Sequence, residues 1–250
     1  PRAQWYHTLY PRIYPWLPTG TMLEIGPGFG RWTQFFIEEC QRLILVDLSQ
    51  TCIDACQERF AGHAHISYHV NDGRSLDFVP SQSVDFIFSF DSLVHAEADA
   101  IVGYLGEIRR VLQPHGVAFV HHSNLGAYAG YLRRIQSLPH RLVRQMARYG
   151  LVETLEQQWR AKSISARQFA QMAGDSGLQC ISQEMINWQS RRLIDCISVV
   201  TPYGSPWARP STVLRNPYFM REAGYAARMS GLYEYEPSAR KNEAPAARLR

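Results

Sequence analysis

Lysine is nearly absent from this 250-residue chain. Of its 26 basic residues only Lys162 and Lys241 are lysines, and the other 24 are arginines. Such a bias is first a mark of codon usage in a GC-rich genome, such as an actinobacterial one, and only second a chemical signal. Cysteine is sparse and scattered: Cys40, Cys52, Cys56, Cys180 and Cys196 form no C-x-x-C pair, which excludes a disulfide framework and a cysteine zinc site. Cys52 and Cys56 stand four apart on an expected helix and read as small packing residues. Long apolar runs are also missing. The longest uncharged stretch, Val111 to Leu132, is broken by Pro114, His121, His122 and Asn124, whereas a membrane span needs about 20 mostly apolar residues. No membrane span is expected, no charged and apolar leader opens the chain, and a cytoplasmic location is the default. With 26 basic against 22 acidic residues, the net charge of +4 is too small, and too spread along the sequence, to indicate nucleic acid as a partner.

What is present suits one large α/β domain, expected over residues 1–236. Apolar residues make up 46% and charged residues 19%, enough apolar surface for a real core. Met22 to Ile25 is a short apolar run that breaks into Gly26-Pro27-Gly28-Phe29-Gly30, and Arg31 to Cys40 follows with helical character. Leu43 to Val46, ending in Asp47, and the periodic segment Thr51 to Phe60 repeat the strand–helix unit. Ile66 to Val70 precedes the turn Asn71-Asp72-Gly73, Val84 to Phe90 is a buried-type strand, and Ile101 to Leu112 is a helix leading to a fifth strand at Val117 to Val120. This alternation implies a parallel sheet covered on both faces, with ligands beyond the carboxyl ends of its strands.

After Asn124 the rhythm changes. Residues 127–162 carry no strand signal and read as a helical insertion over the site, rich in Arg and Tyr that serve either as a lid or as a solvated helix face. Ser165 starts a helix ending near Gly177, and Leu178 to Trp188 and Leu193 to Val200 are expected as two closing strands with an antiparallel edge. Residues 203–236 hold Trp207, Tyr218, Phe219, Tyr225, Tyr233 and Tyr235, for which closing the site and forming a homodimer contact are both open. Residues 237–250 are expected to be mobile.

The chemistry concentrates at strand ends. Glu24 stands two residues before three glycines spaced by two, where the backbone can approach a ligand closely and a helix start offers amide donors. The dinucleotide fingerprint needs its third glycine one position later, where Arg31 stands, so hydride chemistry on NAD is disfavoured. Asp47, at the end of the second strand, is placed to accept both hydroxyl protons of a ribose.

Glu24-Ile25-Gly26-Pro27-Gly28-Phe29-Gly30 with Asp47, Asn71-Asp72-Gly73, Phe88-Ser89-Phe90-Asp91 and the run Arg109 to Val117 together resemble the class I S-adenosylmethionine-dependent methyltransferases. The resemblance covers about residues 20–200. It implies a Rossmann-like, seven-stranded, mostly parallel sheet with helices on both faces, and S-adenosyl-L-methionine as cofactor. It also implies that Glu24, Gly26 and Gly28 hold the methionine moiety, Asp47 the ribose, Asp72 and Gly73 the adenine, and that Phe90, in the fourth motif, belongs to the cofactor site. On the acceptor side stand Asp91 and His95 after the fourth strand and His121 and His122 after the fifth. Methylating a hydroxyl needs a base or a metal, so a histidine is one candidate, with one of the His121–His122 pair facing the pocket and the other structural. Asp91 with His121 or His122, the latter taken as metal ligand, is the other: a site for a divalent ion such as Mg2+. His63, His65 and His69 read as packing or surface residues. The stretch from Phe90 to Glu97, with His121-His122-Ser123-Asn124, is similar to bacterial sugar O-methyltransferases acting on polysaccharides, which implies a carbohydrate acceptor. O-methylation of a secondary metabolite, aglycone or lipid is the alternative.

Overall fold

The computed structural model describes residues 2–155 and 159–230. Eight strands form one sheet in the order β3-β2-β1-β4-β5-β7-β6-β8. They are β1 (Thr19–Ile25), β2 (Cys40–Asp47), β3 (Ile66–Val70), β4 (Val84–Ser89), β5 (Leu112–Ser123), β6 (Leu178–Ile186), β7 (Asp195–Pro202) and β8 (Thr212–Asn216). The helices are α1 (Arg2–Gln4), α2 (Tyr10–Ile13), α3 (Thr33–Phe36), α4 (Gln50–Arg59), α5 (Ala98–Val111), α6 (Ala129–Gln136), α7 (His140–Arg148), α8 (Ala166–Asp175) and α9 (Phe219–Ser230). The first five strands pair in parallel, and β7 runs antiparallel between β5 and β6. The expected α/β architecture is therefore present, with one strand more than expected. The addition is β8, which pairs in parallel with β6 on the outer edge. It arises in the segment read only as an aromatic extension, because Thr-Val-Leu-Arg-Asn is short and exposed and its edge position requires no buried face.

The sheet is covered on both sides. One face buries Leu23, Ile25, Ile44, Val46, Ile87, Ala118 and Val120 against α5 and α8. The i, i+3, i+4, i+7 spacing of Ile101, Tyr104, Leu105 and Ile108 gives α5 the apolar stripe this requires. The other face buries Met22, Leu43, Leu45, Phe86, Phe88 and Phe119 beneath α3, α4 and the N-terminal helical segment. Aromatic stacking dominates there: Phe88 lies parallel to Phe119 at 5.5 Å and Trp5 on Phe35 at 4.7 Å. Full burial of each such ring contributes roughly 1.5–3 kcal/mol.

The helix expected over Arg31 to Cys40 shrinks to the single turn of α3, because the Glu39 carbonyl is taken by the Thr19 N–H and Cys40 already belongs to β2. Ser49 and Ser165 cap α4 and α8 by accepting from the Cys52 and Gln168 N–H groups. Of the C-terminal aromatics, Phe219 is buried beside Phe90, and Trp207 packs edge-on against Trp16. Tyr233, Tyr235 and the segment 237–250 lie outside the described residues. No helix among the described residues is long and apolar enough to cross a membrane.

Candidate active site

The carboxyl ends of β1, β2 and β3 and the loop after β4 converge on a cavity of about 450 Å3, lined by Gly26, Asp47, Asp72, Gly73, Ser92 and His95 among others. Each wall has a local cause. Gly26 has φ +73°, and a Cβ there would fall 2.0 Å from Ser92 Oγ and 2.4 Å from Ser92 Cβ. Gly73, at φ +81°, would place a Cβ 2.5 Å from Leu48 Cδ1. Gly28 has φ +54° but open space around it. Gly26→Ala is accordingly expected to destabilise the fold by roughly 1–3 kcal/mol and weaken cofactor binding, because both strain and a rigid clash arise. Gly28→Ala is expected to cost only about 1 kcal/mol, from φ alone. Chemical denaturation of the two variants side by side checks the order.

Asp47 is fixed by backbone donors on both oxygens: the Ser49 N–H donates to Oδ1 at 2.9 Å and the Gly28 N–H to Oδ2 at 3.2 Å. Each oxygen keeps a second lone pair for a hydroxyl donor. Asp72 Oδ1 accepts from the Ser75 and Arg74 N–H groups and from the Ser75 hydroxyl, and these donors hold the carboxyl below its usual range.

Three residues expected to touch ligand do not line this cavity. Glu24 is 1% exposed, on the opposite strand face, where Thr33 Oγ1 donates to its carboxyl at 2.6 Å. Burial, opposed by that hydrogen bond and aided by the charge of Asp47, pushes its pKa up to about 8. Glu24 therefore ties the glycine loop to α3 from behind. A carboxyl with a raised folded-state pKa favours folding fully at low pH, and that contribution is lost as pH rises toward about 8. Glu24→Gln should match the parent melting temperature near about pH 4 and exceed it by roughly 4 °C or more at about pH 8. Gly28 shapes the turn without facing the cavity. Phe90 is 3% exposed and stacks on His121 at 4.5 Å, inside the aromatic core and not on the cavity wall.

The histidines separate cleanly. His122 is fully buried, stacked on Phe169 at 3.9 Å, with Nδ1 2.8 Å from the Ser123 carbonyl and Nε2 2.8 Å from Ser198 Oγ. Burial pushes its pKa down to about 3, and with both ring nitrogens engaged it is neither a base nor a metal ligand. His121, on the other face of β5, accepts the Asp91 N–H on Nδ1 at 3.1 Å, and its Nε2 lies 3.3 Å from Asp195 Oδ2. It is also fully buried and braces the loop. A divalent site at Asp91 with either histidine does not fit this donor set. Among the described residues no cluster of three ligating side chains that could hold a metal ion occurs.

His95 remains. It is exposed, lines the cavity, and its Nδ1 lies 2.5 Å from the Trp159 carbonyl. A carbonyl only accepts, so Nδ1 carries the proton and the neutral ring presents the Nε2 lone pair. Of the remaining histidines, His65 bonds the Ile37 carbonyl and His69 stacks on Phe78 at 4.1 Å, as packing residues.

Sequence reasoning missed the acid–base frame beneath the site. Asp195, fully buried, receives Arg160 Nε at 2.9 Å and Nη2 at 2.9 Å. Arg160 also stands 3.6 Å from Asp91 Oδ1 and 5.3 Å from the Trp188 ring centroid. Burial pushes the Asp195 pKa up, but His121 and Arg160 outweigh it and hold the carboxyl below its usual range. Asp91 itself has φ +62°, an unusual conformation for a non-glycine residue that its bond to His121 fixes.

Comparison with known proteins bears on the cofactor half. Residues 22–116 match the family described as a methyltransferase domain. Phosphoethanolamine N-methyltransferase 1 of Caenorhabditis elegans is 28% identical over 109 residues, 44% of this chain and 23% of that protein. Ribosomal RNA small subunit methyltransferase A of Coxiella burnetii is 33% identical over 60 residues, 24% of this chain and 23% of that protein. The chain thus matches less than a quarter of the length of either relative, and their names refer to unlike acceptors. Among solved structures, the PH0226 protein of Pyrococcus horikoshii aligns with a TM-score of 0.54 at 18% identity, over 80% of this chain and 92% of that one. The chain is thus similar to a methyltransferase domain over residues 22–116, and its α/β fold is shared with a solved structure over 80% of its length.

Proposed function

We propose that the protein transfers the methyl group of S-adenosylmethionine to a hydroxyl of a carbohydrate, with a mannoside of a bacterial methylated polysaccharide as the acceptor to test first. The observation that carries this reading is a base-competent histidine, His95, on the wall of the cavity that Gly26, Asp47, Asp72 and Gly73 shape. The cofactor, when bound, supplies an electrophilic methyl on a sulfonium. Asp47 would take the ribose hydroxyls, Asp72 the adenine amino group, and the Gly26 turn would leave room for the backbone to approach the methionine moiety.

With cofactor and acceptor bound, His95 Nε2 would take the proton of the acceptor hydroxyl as that oxygen receives the methyl group. Catalysis rests mainly on alignment, with His95 adding general-base assistance. For the sugar, the support is Trp159, an 83% exposed residue whose backbone carbonyl meets His95 and whose indole offers a flat apolar face to a sugar's C–H groups.

The test is transfer of labelled methyl from S-adenosylmethionine to mannosides, glucosides, phenols and primary amines, each with magnesium and with chelator. Labelled mannosides, with activity unchanged by chelator, are expected. Labelling of phenols or amines alone would overturn the carbohydrate reading and favour a secondary metabolite or a nitrogen acceptor. Loss of activity under chelator would overturn the metal-free mechanism.

A further inference from the structure

Residues 125–155 contain five arginines, Arg133, Arg134, Arg141, Arg144 and Arg148, and one acid, Glu153. That surplus of four equals the net charge of the whole chain, so a charge that looks diffuse in the sequence belongs to one insertion. All five arginines are exposed, and none forms an ion pair among the described residues. The single acid does not compensate them, because Glu153 is turned toward the Arg191 N–H and Arg192.

Large apolar side chains stand exposed on the same segment. Leu142 is 43% exposed, and Tyr149 and Leu151 are each 70% exposed. Leu142 and Met146 on α7 and Tyr149 at its C-cap are spaced i, i+4, i+7 and share one edge. Arg141, Arg144 and Arg148 share the adjoining solvent-facing arc, while Val143 is buried toward the protein. A basic arc beside an exposed apolar edge is the pattern of a helix lying in a membrane interface, arginines at the phosphates and apolar side chains below them. Beneath α7, a cavity of about 270 Å3 is lined by Leu132, Ile135, Leu138, Val143 and Leu155 together with Gln136, His140, Glu153 and Thr154.

We propose that the α6–α7 insertion is a docking surface for an anionic lipid bilayer, to which the protein binds peripherally. The five unpaired arginines supply charge complementarity to the headgroups, and Leu142, Tyr149 and Leu151 enter the interface. The arginines do not line the cofactor cavity, so the surface is separate from the transfer site. The chain from this insertion leads into Trp159 and Arg160 beside that site, which would set its mouth close to acceptors displayed at a membrane.

The test is co-sedimentation of the full chain with vesicles of phosphatidylcholine alone and of phosphatidylcholine mixed with phosphatidylglycerol, at low and high salt. Binding to the mixed vesicles only, weakened by salt, is expected. Arg141→Gln/Arg144→Gln/Arg148→Gln should lower the partition coefficient about a hundredfold, since each basic residue near such a surface contributes about a factor of five. Leu142→Ser/Tyr149→Ser/Leu151→Ser should lower it about tenfold or more while leaving cofactor binding unchanged. Circular dichroism would establish that both variants fold, and the lipid and salt arms on the parent protein stand whether or not they do. Equal binding to both vesicle types, or no binding to either, would overturn the proposal. So would retention of single-stranded RNA by the same arginines with vesicles ignored.

Discussion

Replacing His95 by glutamine is expected to lower kcat for methyl transfer to a hydroxyl by about a hundredfold or more, the usual worth of a positioned general base. The cofactor's dissociation constant should stay within about threefold, because glutamine keeps the volume and polarity of this exposed wall and Asp47 and Asp72 are untouched. The reasoning starts from the Trp159 carbonyl, which can only accept and so fixes which ring nitrogen is protonated. With Nδ1 committed, Nε2 alone is left to take the acceptor's proton. His121→Gln and His122→Gln serve as contrasts: both rings are fully buried, so their loss should appear first in stability. If the His95 variant retained full kcat, the base would have to be sought elsewhere and the hydroxyl acceptor would lose its main chemical support.

How much of this site is legible in the sequence depends on how local each signal is. Gly26, Asp47, Asp72 and Gly73 announce themselves because a strand end, a turn and a short polar residue are features of consecutive positions. His95 is legible for the same reason, standing in the loop that follows β4. The alternation of a strand puts His121 and His122 on opposite faces, but with both faces buried it cannot say which neighbours each ring meets. That ambiguity also produced the misplaced roles of Glu24 and Phe90. Glu24 shares its face with Met22, and Phe90 continues the line of Phe86 and Phe88, so parity alone assigns both to the aromatic side. Asp195 and Arg160 are invisible by comparison. Asp195 reaches the site only because β7 inserts antiparallel beside β5 in the register that sets it opposite Ser123, and Arg160 arrives from an irregular segment after the insertion. The helix pair α6–α7 shows a related limit: its arginines look scattered along the chain until two short helices gather them.

The second large effect is expected from Arg160→Met. Its guanidinium is 4% exposed and satisfies a carboxyl, Asp195, that is wholly buried. Removing the cation leaves the buried Asp195 with His121 as its remaining partner, and breaking a buried pair in this way typically costs about 3–5 kcal/mol. Combining it with Asp195→Asn should recover part of that loss, since the buried charge is gone, and non-additivity of the pair is the diagnostic. The sign with pH follows from the depressed Asp195 pKa: the contribution is present above the carboxyl's unfolded value and is lost as pH falls through the lower folded one. The parent protein should thus lose stability on acidification more steeply than the Asp195→Asn variant. A functional consequence should accompany the structural one, because Asp195 faces His121, His121 holds the Asp91 N–H, and Asp91 keeps a left-handed turn at the head of the loop that carries His95. A conservative Arg160→Lys keeps the charge without the fork that meets both Asp195 oxygens, so it should hold most of the stability yet raise KM for the acceptor. Thermal melts of the three variants against pH, read beside their KM and kcat, separate the two roles. Full stability in Arg160→Met would show that Asp195 is protonated or otherwise solvated in the folded protein, and the frame beneath the site would then be packing rather than charge.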